Sequence, residues 1–383
     1  MRVTQSMMTA NSMKHLSSGY GQMMKYQDQL SSGKKISRAS QDPVVAMNGI
    51  RYRTQVTETG QFKRNLSEAH NWMDTSDATL DKATNSLHRV RELTVQASND
   101  SYEAGQRSNI AKEVAQLREH LASLANTRNN NKYMFNGTDT TNAPVDTSRM
   151  DIGFNGLSGV LEGDLPEEAE DFPLDVMYKG NAYAFQGMEG DSAVFTGPDN
   201  ETISFTIEDG SVTGAVRSFT EDGTTRTESL PERSVIVSHK DAVSTNGRTV
   251  SVELMKGTNV DINVNPQAVF GNQLFADLKA LENALEHPDT TASELSGMLD
   301  VLDKHVNNSV NERAELGARM NRVEMIDRRV QEQEVIAKRI MSDNEDVEME
   351  EAIMNLMTAE NVHRAALSSG ARIMQPSLMD FLR

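Results

Sequence analysis

The sequence predicts a mainly α-helical protein with an inserted β-rich domain, in which the N- and C-terminal arms pair as a long antiparallel coiled-coil-like helical bundle. Three observations carry that expectation. Apolar residues recur at alternating steps of three and four along both ends of the chain. The texture then changes between residues 136 and 265, which hold 14 of the 24 glycines and five of the nine prolines. Aromatics make up only 5% of the 383 residues, against 22 methionines and one tryptophan, so the core must come mostly from Leu, Val, Ile, Met and Ala. That composition suits thin helical seams better than a broad globular centre.

The first seam comprises Met13, Leu16, Tyr20, Met23 and Leu30, with Gln27 as its single polar step. It stops at Ser31, Ser32 and Gly33, which continue a helix poorly, and a cationic cluster of Lys34, Lys35 and Arg38 follows. Asp42 and Pro43 then offer an N-cap and a first-turn proline for a new helix. From Phe62 the stripe is regular through Leu66, Ala69, Met73, Ser76, Leu80, Ala83, Leu87, Val90, Thr94 and Ala97. At 1.5 Å per residue this is a rod of about 54 Å. Ser98-Asn99-Asp100 breaks it, and Ile110, Val114, Leu117, Leu121 and Leu124 mark a second helix running to Asn129-Asn130-Asn131. A short extended piece over residues 133–140 leads onward.

In the middle, period-two alternation at Ile203, Phe205 and Ile207 predicts a strand. A hairpin is predicted from Val250, Val252 and Leu254 paired with Val260, Ile262 and Val264 across Lys256-Gly257-Thr258-Asn259. Helix returns at Phe275, Leu278, Leu281 and Leu285, pauses at His287-Pro288, and resumes through Leu295, Leu299, Leu302 and Val306. The stripe continues at Leu316, Met320, Val323, Val330, Ala337 and Met341, interrupted by Ser309, Arg313, Asp327 and Glu334 as polar steps. One more helix spans roughly residues 347–374. A lone amphipathic rod cannot bury its seam, so the two arms must pair.

The formal net charge is -18, of which residues 135–265 carry -15, leaving -3 for the flanks. The middle is therefore expected to face outward in solvent, while the flanks can pack against like copies without strong repulsion. Nucleic acid and anionic membrane are disfavoured as partners, because both need a positive field. Cysteine is absent, which excludes disulfides, thiolate metal sites and a Cys nucleophile. The start MRVTQSMMTANSMK lacks the apolar core of a cleaved Sec signal, and no apolar run is long enough to insert in a membrane.

No catalytic, cofactor or metal site emerges. The eight histidines show no HxxxH or HxH pair, and His88, His120 and His305 read as surface or seam residues. Gly156-Leu157-Ser158-Gly159 fails as a nucleophile elbow because Val160 replaces the second glycine of GxSxG. Gly33-Lys34 fails as a phosphate loop, since Asp28 stands for its first glycine and Lys35 for the Ser/Thr. Gly19-Tyr20-Gly21 sits in a heptad rather than after a strand. The acidic run from Glu167 to Asp171 reads as a solvated loop; calcium is conceivable, but the spacing fits no EF-hand. The apolar ends have too little partner surface within one chain. Met13, Leu16, Tyr20, Met23, Leu30, Leu356, Leu367, Leu378, Phe381 and Leu382 are therefore candidate subunit-interface residues.

Residues 30–46, LSSGKKISRASQDPVVA, resemble the N-terminal signature of flagellins and flagellin-like axial proteins, and residues 316–324, LGARMNRVE, resemble a C-terminal helix of that family. With the heptads, the resemblance covers roughly residues 1–140 and 270–383. The start MRVTQSMM, the segment YMFNGTDT at 133–140 and the ending PSLMDFLR are similar to members found at the hook–filament junction. The stretch 141–265 is longer than such a member needs. The resemblance implies a non-enzymatic structural protein, extracellular on the flagellum and exported by a type III route without a Sec signal. Its implied partners are the first hook-associated junction protein, flagellin, further copies of itself in a ring, and a flagellar export chaperone.

On that resemblance residues 1–42 with 342–383 form a D0-like terminal helical region, 43–140 with 266–341 a D1-like rod, and 141–265 a D2-like β-rich insert. Ser31, Ser32, Gly33, Asp42 and Pro43 become a candidate hinge between the first two. The alternatives are filament flagellin, a glycan-binding or enzymatic module in residues 141–265, and a cytoplasmic coiled-coil scaffold. For glycan binding, the only aromatic platform on offer is Tyr178, Tyr183 and Phe185.

Overall fold

Paired helices carry both ends of the chain and an antiparallel sheet fills the middle, as the apolar periodicities require. The computed structural model describes residues 5–99, 102–163, 168–221 and 224–374. In chain order, α1 (Gln5–Ser32), α2 (Pro43–Ala97) and α3 (Ala104–Ala125) precede a short hairpin of β1 (Arg128–Asn129) and β2 (Lys132–Tyr133). Helix α4 (Gly153–Leu161) leads to β3 (Leu174–Tyr178), β4 (Asn181–Glu189), β5 (Ser192–Thr196), β6 (Thr202–Glu208), β7 (Ser211–Glu221), β8 (Thr224–Leu230) and β9 (Ile236–His239). After a hairpin of β10 (Ser251–Met255) and β11 (Thr258–Asp261) come α5 (Pro266–Phe270), α6 (Asn272–Glu286), α7 (Ala292–Glu345) and α8 (Met349–Met374). The chain forms two compact units: a terminal unit of Met1–Arg64 with Asp327–Arg383, and a central unit, Asn65–Ile326.

In the central unit the α2 stripe is buried at each position from Leu66 through Ala97 that the spacing singled out, including Ser76 and Thr94. The polar steps on α7 have partners there. Ser309 shares a 2.8 Å hydrogen bond with the Thr84 hydroxyl, and Arg313 donates to Asp77 at 2.8 Å and also to Asp81. Arg91 reaches Asp303 at 2.6 Å. Residue numbers rise along α2 as they fall along α7, so the pair is antiparallel. These groups fix the stagger of two helices whose apolar contacts alone would tolerate slippage.

Helix α3 stops at Ala125, four residues before the Asn run. Asn130 and Asn131 take positive φ (49° and 66°) in the β1–β2 turn, a conformation asparagine tolerates well. Of the piece expected to be extended over 133–140, only Tyr133 lies in a strand, and the rest is turns and loop. Tyr133, Met134, Phe135 and Asn136 are buried, and Phe135 packs edge-on against Phe270 at 5.2 Å.

The sheet has seven antiparallel strands in the order β8-β7-β6-β5-β4-β3-β9. Alternation decides its two faces. Val176, Tyr178, Ile203, Phe205 and Val237 face a core capped by Phe154, Leu157 and Leu161 of α4, while Met177 and Ile236 face Ala276 and Ala280 of α6. Phe172, Phe185, Phe195 and Phe205 form a chain of ring contacts with centroids 4.2–5.8 Å apart. A polar cluster lies beside them. The Tyr183 hydroxyl donates to Glu201 at 2.9 Å, and Arg217 donates to the same carboxylate at 2.6 and 3.2 Å. Burial and the bond to Glu201 push the Tyr183 phenol up to about 12. Burial alone would raise Glu201, but Arg217 and Tyr183 together hold its carboxyl below the ordinary value.

A hairpin forms where predicted, as β10–β11 apart from the large sheet, but its turn is only Lys256-Gly257: Thr258 and Asn259, expected in the turn, pair with Met255 and Glu253. It is tied to helices: Asn65 donates to the Glu253 carbonyl at 2.8 Å, and Arg319 to the Asn263 carbonyl at 2.7 Å. Of the acidic run, Glu167 lies outside the described residues, and Ala169–Asp171 is a 3-10 turn whose Glu170 carbonyl accepts from Lys240 at 2.8 Å.

Leu80→Ala should cost about 2–5 kcal/mol in urea denaturation, since it opens a cavity in a fully buried seam. Arg217→Met should cost about 1–3 kcal/mol at neutral pH by stripping Glu201 of its charged donor. A carboxyl lowered in the folded state stabilises above its ordinary 4.5 and loses that contribution as pH falls through the lowered value. The gap between Arg217→Met and the parent should therefore shrink in acid, which melting from pH 7 to 3 will check.

Candidate functional site

In the terminal unit, α1 and α8 pair along one stripe each. A Cβ built on Gly370 would lie 3.8 Å from Leu16, and the rings of Tyr20 and His363 stand 6.0 Å apart. Lys34 bridges to Asp346 at the other end of the pair, so α1 and α8 run antiparallel. Leu16, Met23, Leu30 and Leu356 are half-buried. Met13, Tyr20 and Leu367 are exposed at 58%, 52% and 50%. Leu378, Phe381 and Leu382 lie outside the described residues.

Both arms break at the same level. Helix α1 ends at Ser32, whose hydroxyl donates to the Asp28 carbonyl at 2.7 Å, and Gly33 closes it with φ +67° and an N–H bond of 2.8 Å to the Gln29 carbonyl. That is a left-handed C-terminal cap, which favours glycine. Helix α2 begins at Pro43, with the Asp42 carboxylate accepting from the Val44 and Val45 N–H groups at 2.9 and 3.1 Å. Opposite, α7 ends at Glu345 and α8 begins at Met349.

The two breaks are laced together. Lys35 N–H donates to the Glu345 carbonyl at 2.7 Å, and Val347 N–H donates to the Gly33 carbonyl at 3.0 Å. Lys34 Nζ reaches Asp346 at 2.6 Å and Glu345 at 3.5 Å, while Arg53 holds the buried Glu345 carboxylate at 2.7 Å. The bond to Asp346 raises the Lys34 ammonium above its ordinary value, and the bonds from Lys34 and Ser342 lower Asp346. Glu345 leaves no space opposite: a Cβ on the buried Gly49 would sit 2.8 Å from its Oε1. Ser31, Ser32, Gly33, Asp42 and Pro43 thus flank a clamped crossing between the two arms.

Heptad spacing overlooked much of the exposed apolar surface. Val44, Met47 and Ile50 on α2, Val335, Ile336 and Ile340 on α7, and Ile353, Met354, Met357 and Val362 on α8 all project from the terminal unit. Most of the exposed large hydrophobic side chains among the described residues belong to this unit. The available signal was a second apolar stripe beside the first, as in Ile353-Met354 and Val335-Ile336.

The central unit offers less. Tyr178, Tyr183 and Phe185 are buried, so they form no exposed platform for a sugar. His305 pairs with Asp277 at 2.7 Å. Among the described residues no group of three or more His, Cys, Asp or Glu side chains is placed to hold a metal ion, and no helix is long and apolar enough to cross a membrane.

Comparison with known proteins locates the likeness on these same helices. Residues 3–140 match the family model for the bacterial flagellin N-terminal helical region, and 299–382 match that for the C-terminal helical region. Flagellar hook-associated protein 3 of Escherichia coli is 28% identical over 145 residues, which cover 38% of this chain and 46% of that protein. The chain thus spans about half the length of the first curated relatives it matches. Polar flagellin F of Vibrio parahaemolyticus is 24% identical over 81% of this chain and 79% of its own length. A solved flagellar hook-associated protein from Vibrio parahaemolyticus has a TM-score of 0.52 at 16% identity, covering 80% of this chain and all of that one, a likeness of fold. Both helical regions of the family are present, in order, and make up more than half of the chain, which belongs to the bacterial flagellin family.

Proposed function

We propose that this chain is a structural component of the bacterial flagellum that joins hook to filament and templates flagellin assembly. The observation that carries the reading is the unburied apolar surface of the terminal unit, on helices of the flagellin family. Faces bearing Met47, Ile50, Val335, Met354 and Met357 are costly in water and gain by packing against neighbours in an axial assembly. The matches to flagellar hook-associated protein 3 favour the junction over the filament. On this reading the partners are the first hook-associated junction protein, flagellin, other copies in a ring and an export chaperone. The protein is extracellular, exported through the flagellar type III route, and its role is mechanical rather than catalytic.

Residues 1–42 with 342–383 would form the inner helical layer, 43–140 with 266–341 the rod, and 141–265 the outward insert. Filament flagellin is the second reading, favoured by the likeness to polar flagellin F over most of the chain. The crossing at Gly33 and Asp346 would let the inner layer tilt against the rod, because both arms lose helical continuity there and only short polar links span the gap.

Electron microscopy of a deletion strain, with flagellin assayed in the medium, tests the function. Hooks without filaments and flagellin lost to the medium are expected; a missing filament with no leaked flagellin would identify the filament subunit instead. Gly33→Ala combined with Ser32→Pro should impair motility and junction assembly, since alanine at φ +67° costs roughly 1–2 kcal/mol and proline removes a helix N–H. Unchanged motility would leave the crossing no adaptive role.

A further inference from the structure

The central unit contains a cavity of about 280 Å³ between the sheet and α6–α7, floored by Leu230, Ala280, Ala284 and Met298. Two cations, Lys179 and Arg233, line it; among the described residues neither has an ion-pair partner, and the Lys179 ammonium lies 5.1 Å from the centroid of the Tyr178 ring. The acids beside them are engaged: Glu228 lies 3.6 Å from Arg217, and Glu294 accepts from the Thr291 N–H at 3.0 Å. Thr290 also lines the cavity, and its hydroxyl is buried without a hydrogen-bond partner. A cationic rim, an apolar floor and an orphan hydroxyl call for an occupant with an apolar body flanked by carboxylates.

The same unit carries such a group. The end of β4 and the turn into β5 read Met188-Glu189-Gly190-Asp191, with Met188 39% exposed and both acids exposed and without an ion-pair partner among the described residues. Lys179 belongs to the turn that opens β4, and Met188 lies at its far end, about 30 Å away at 3.3 Å per residue. A chain therefore cannot bring its own β4–β5 turn to Lys179, but a second copy can.

We propose that the β4–β5 turn of one copy docks into this cavity on the next. Met188 would rest on the Ala280–Met298 floor, Glu189 and Asp191 would meet Lys179 and Arg233, and Thr290 would donate to a carboxylate. Knob and socket are different surfaces, so the contact is head-to-tail and propagates from copy to copy, as a ring requires. It rests on the reading that copies assemble side by side. A single turn buries far less than a stable interface, so the contact is weak between free chains and forms fully where the assembly holds neighbours close.

The absence of cysteine makes the test direct. Full-length Met188→Cys is mixed with full-length Gly297→Cys, a cavity position where a Cβ meets open space, and the concentrated mixture is oxidised. A disulfide-linked heterodimer is expected, at least tenfold above that from Met188→Cys mixed with Thr225→Cys on the exposed β8. Adding Lys179→Glu and Arg233→Glu to the socket chain should abolish the excess, and Glu189→Lys with Asp191→Lys on the knob chain should restore it. A yield no higher than the Thr225 control, or one indifferent to these charges, overturns the inference. Because purified chains are used, that result stands apart from the deletion-strain phenotype, which judges the junction reading.

Discussion

An apolar stripe dozens of residues long cannot be buried by the helix that carries it, and that constraint organises this molecule. In the central unit the stripe from Leu66 to Ala97 finds α7, and the match is made specific by the groups that interrupt it: Ser309 on Thr84, Arg313 on Asp77 and Asp81. In the terminal unit the same requirement is only half met. There α1 and α8 cover one face of each other and leave Met13, Tyr20, Met354 and Val362 in solvent. The difference between a finished core and an unfinished one is the physical reason for proposing that assembly runs through the terminal helices.

The crossing between the arms shows how a chain can interrupt two helices without losing their register. Gly33 ends α1, Asp42 starts α2, and the opposing break from Glu345 to Met349 lies at the same level. Backbone bonds from Lys35 and Val347, with ion pairs to Glu345 and Asp346, hold the breaks together.

The sheet answers a different problem. Its apolar face is closed by α4 and a run of phenylalanine rings, and its exposed edge strand β8, TTRTESL, carries charge that discourages pairing with another edge. Acidic residues dominate the insert, so Lys179 and Arg233, which have no ion-pair partner among the described residues, are conspicuous beside an apolar cavity.

Helical periodicity was legible from the sequence because it is local: spacing of three and four needs no knowledge of the partner, and Leu66 through Ala97 are buried as their spacing requires. The Asp42-Pro43 start and the β10–β11 hairpin were legible for the same reason, each resting on residues within a few positions. The pairing order β8-β7-β6-β5-β4-β3-β9, the turns over 133–140 and the burial of Tyr178, Tyr183 and Phe185 were not. Nor were the clamp of Lys34 on Asp346 or the cavity beside Thr290, which join residues distant in sequence. Local propensity and period determine which segments become helices and strands. Only the tertiary structure decides which distant charges meet, which aromatics are covered, and which apolar faces are left for another molecule, because those outcomes depend on how the segments pack.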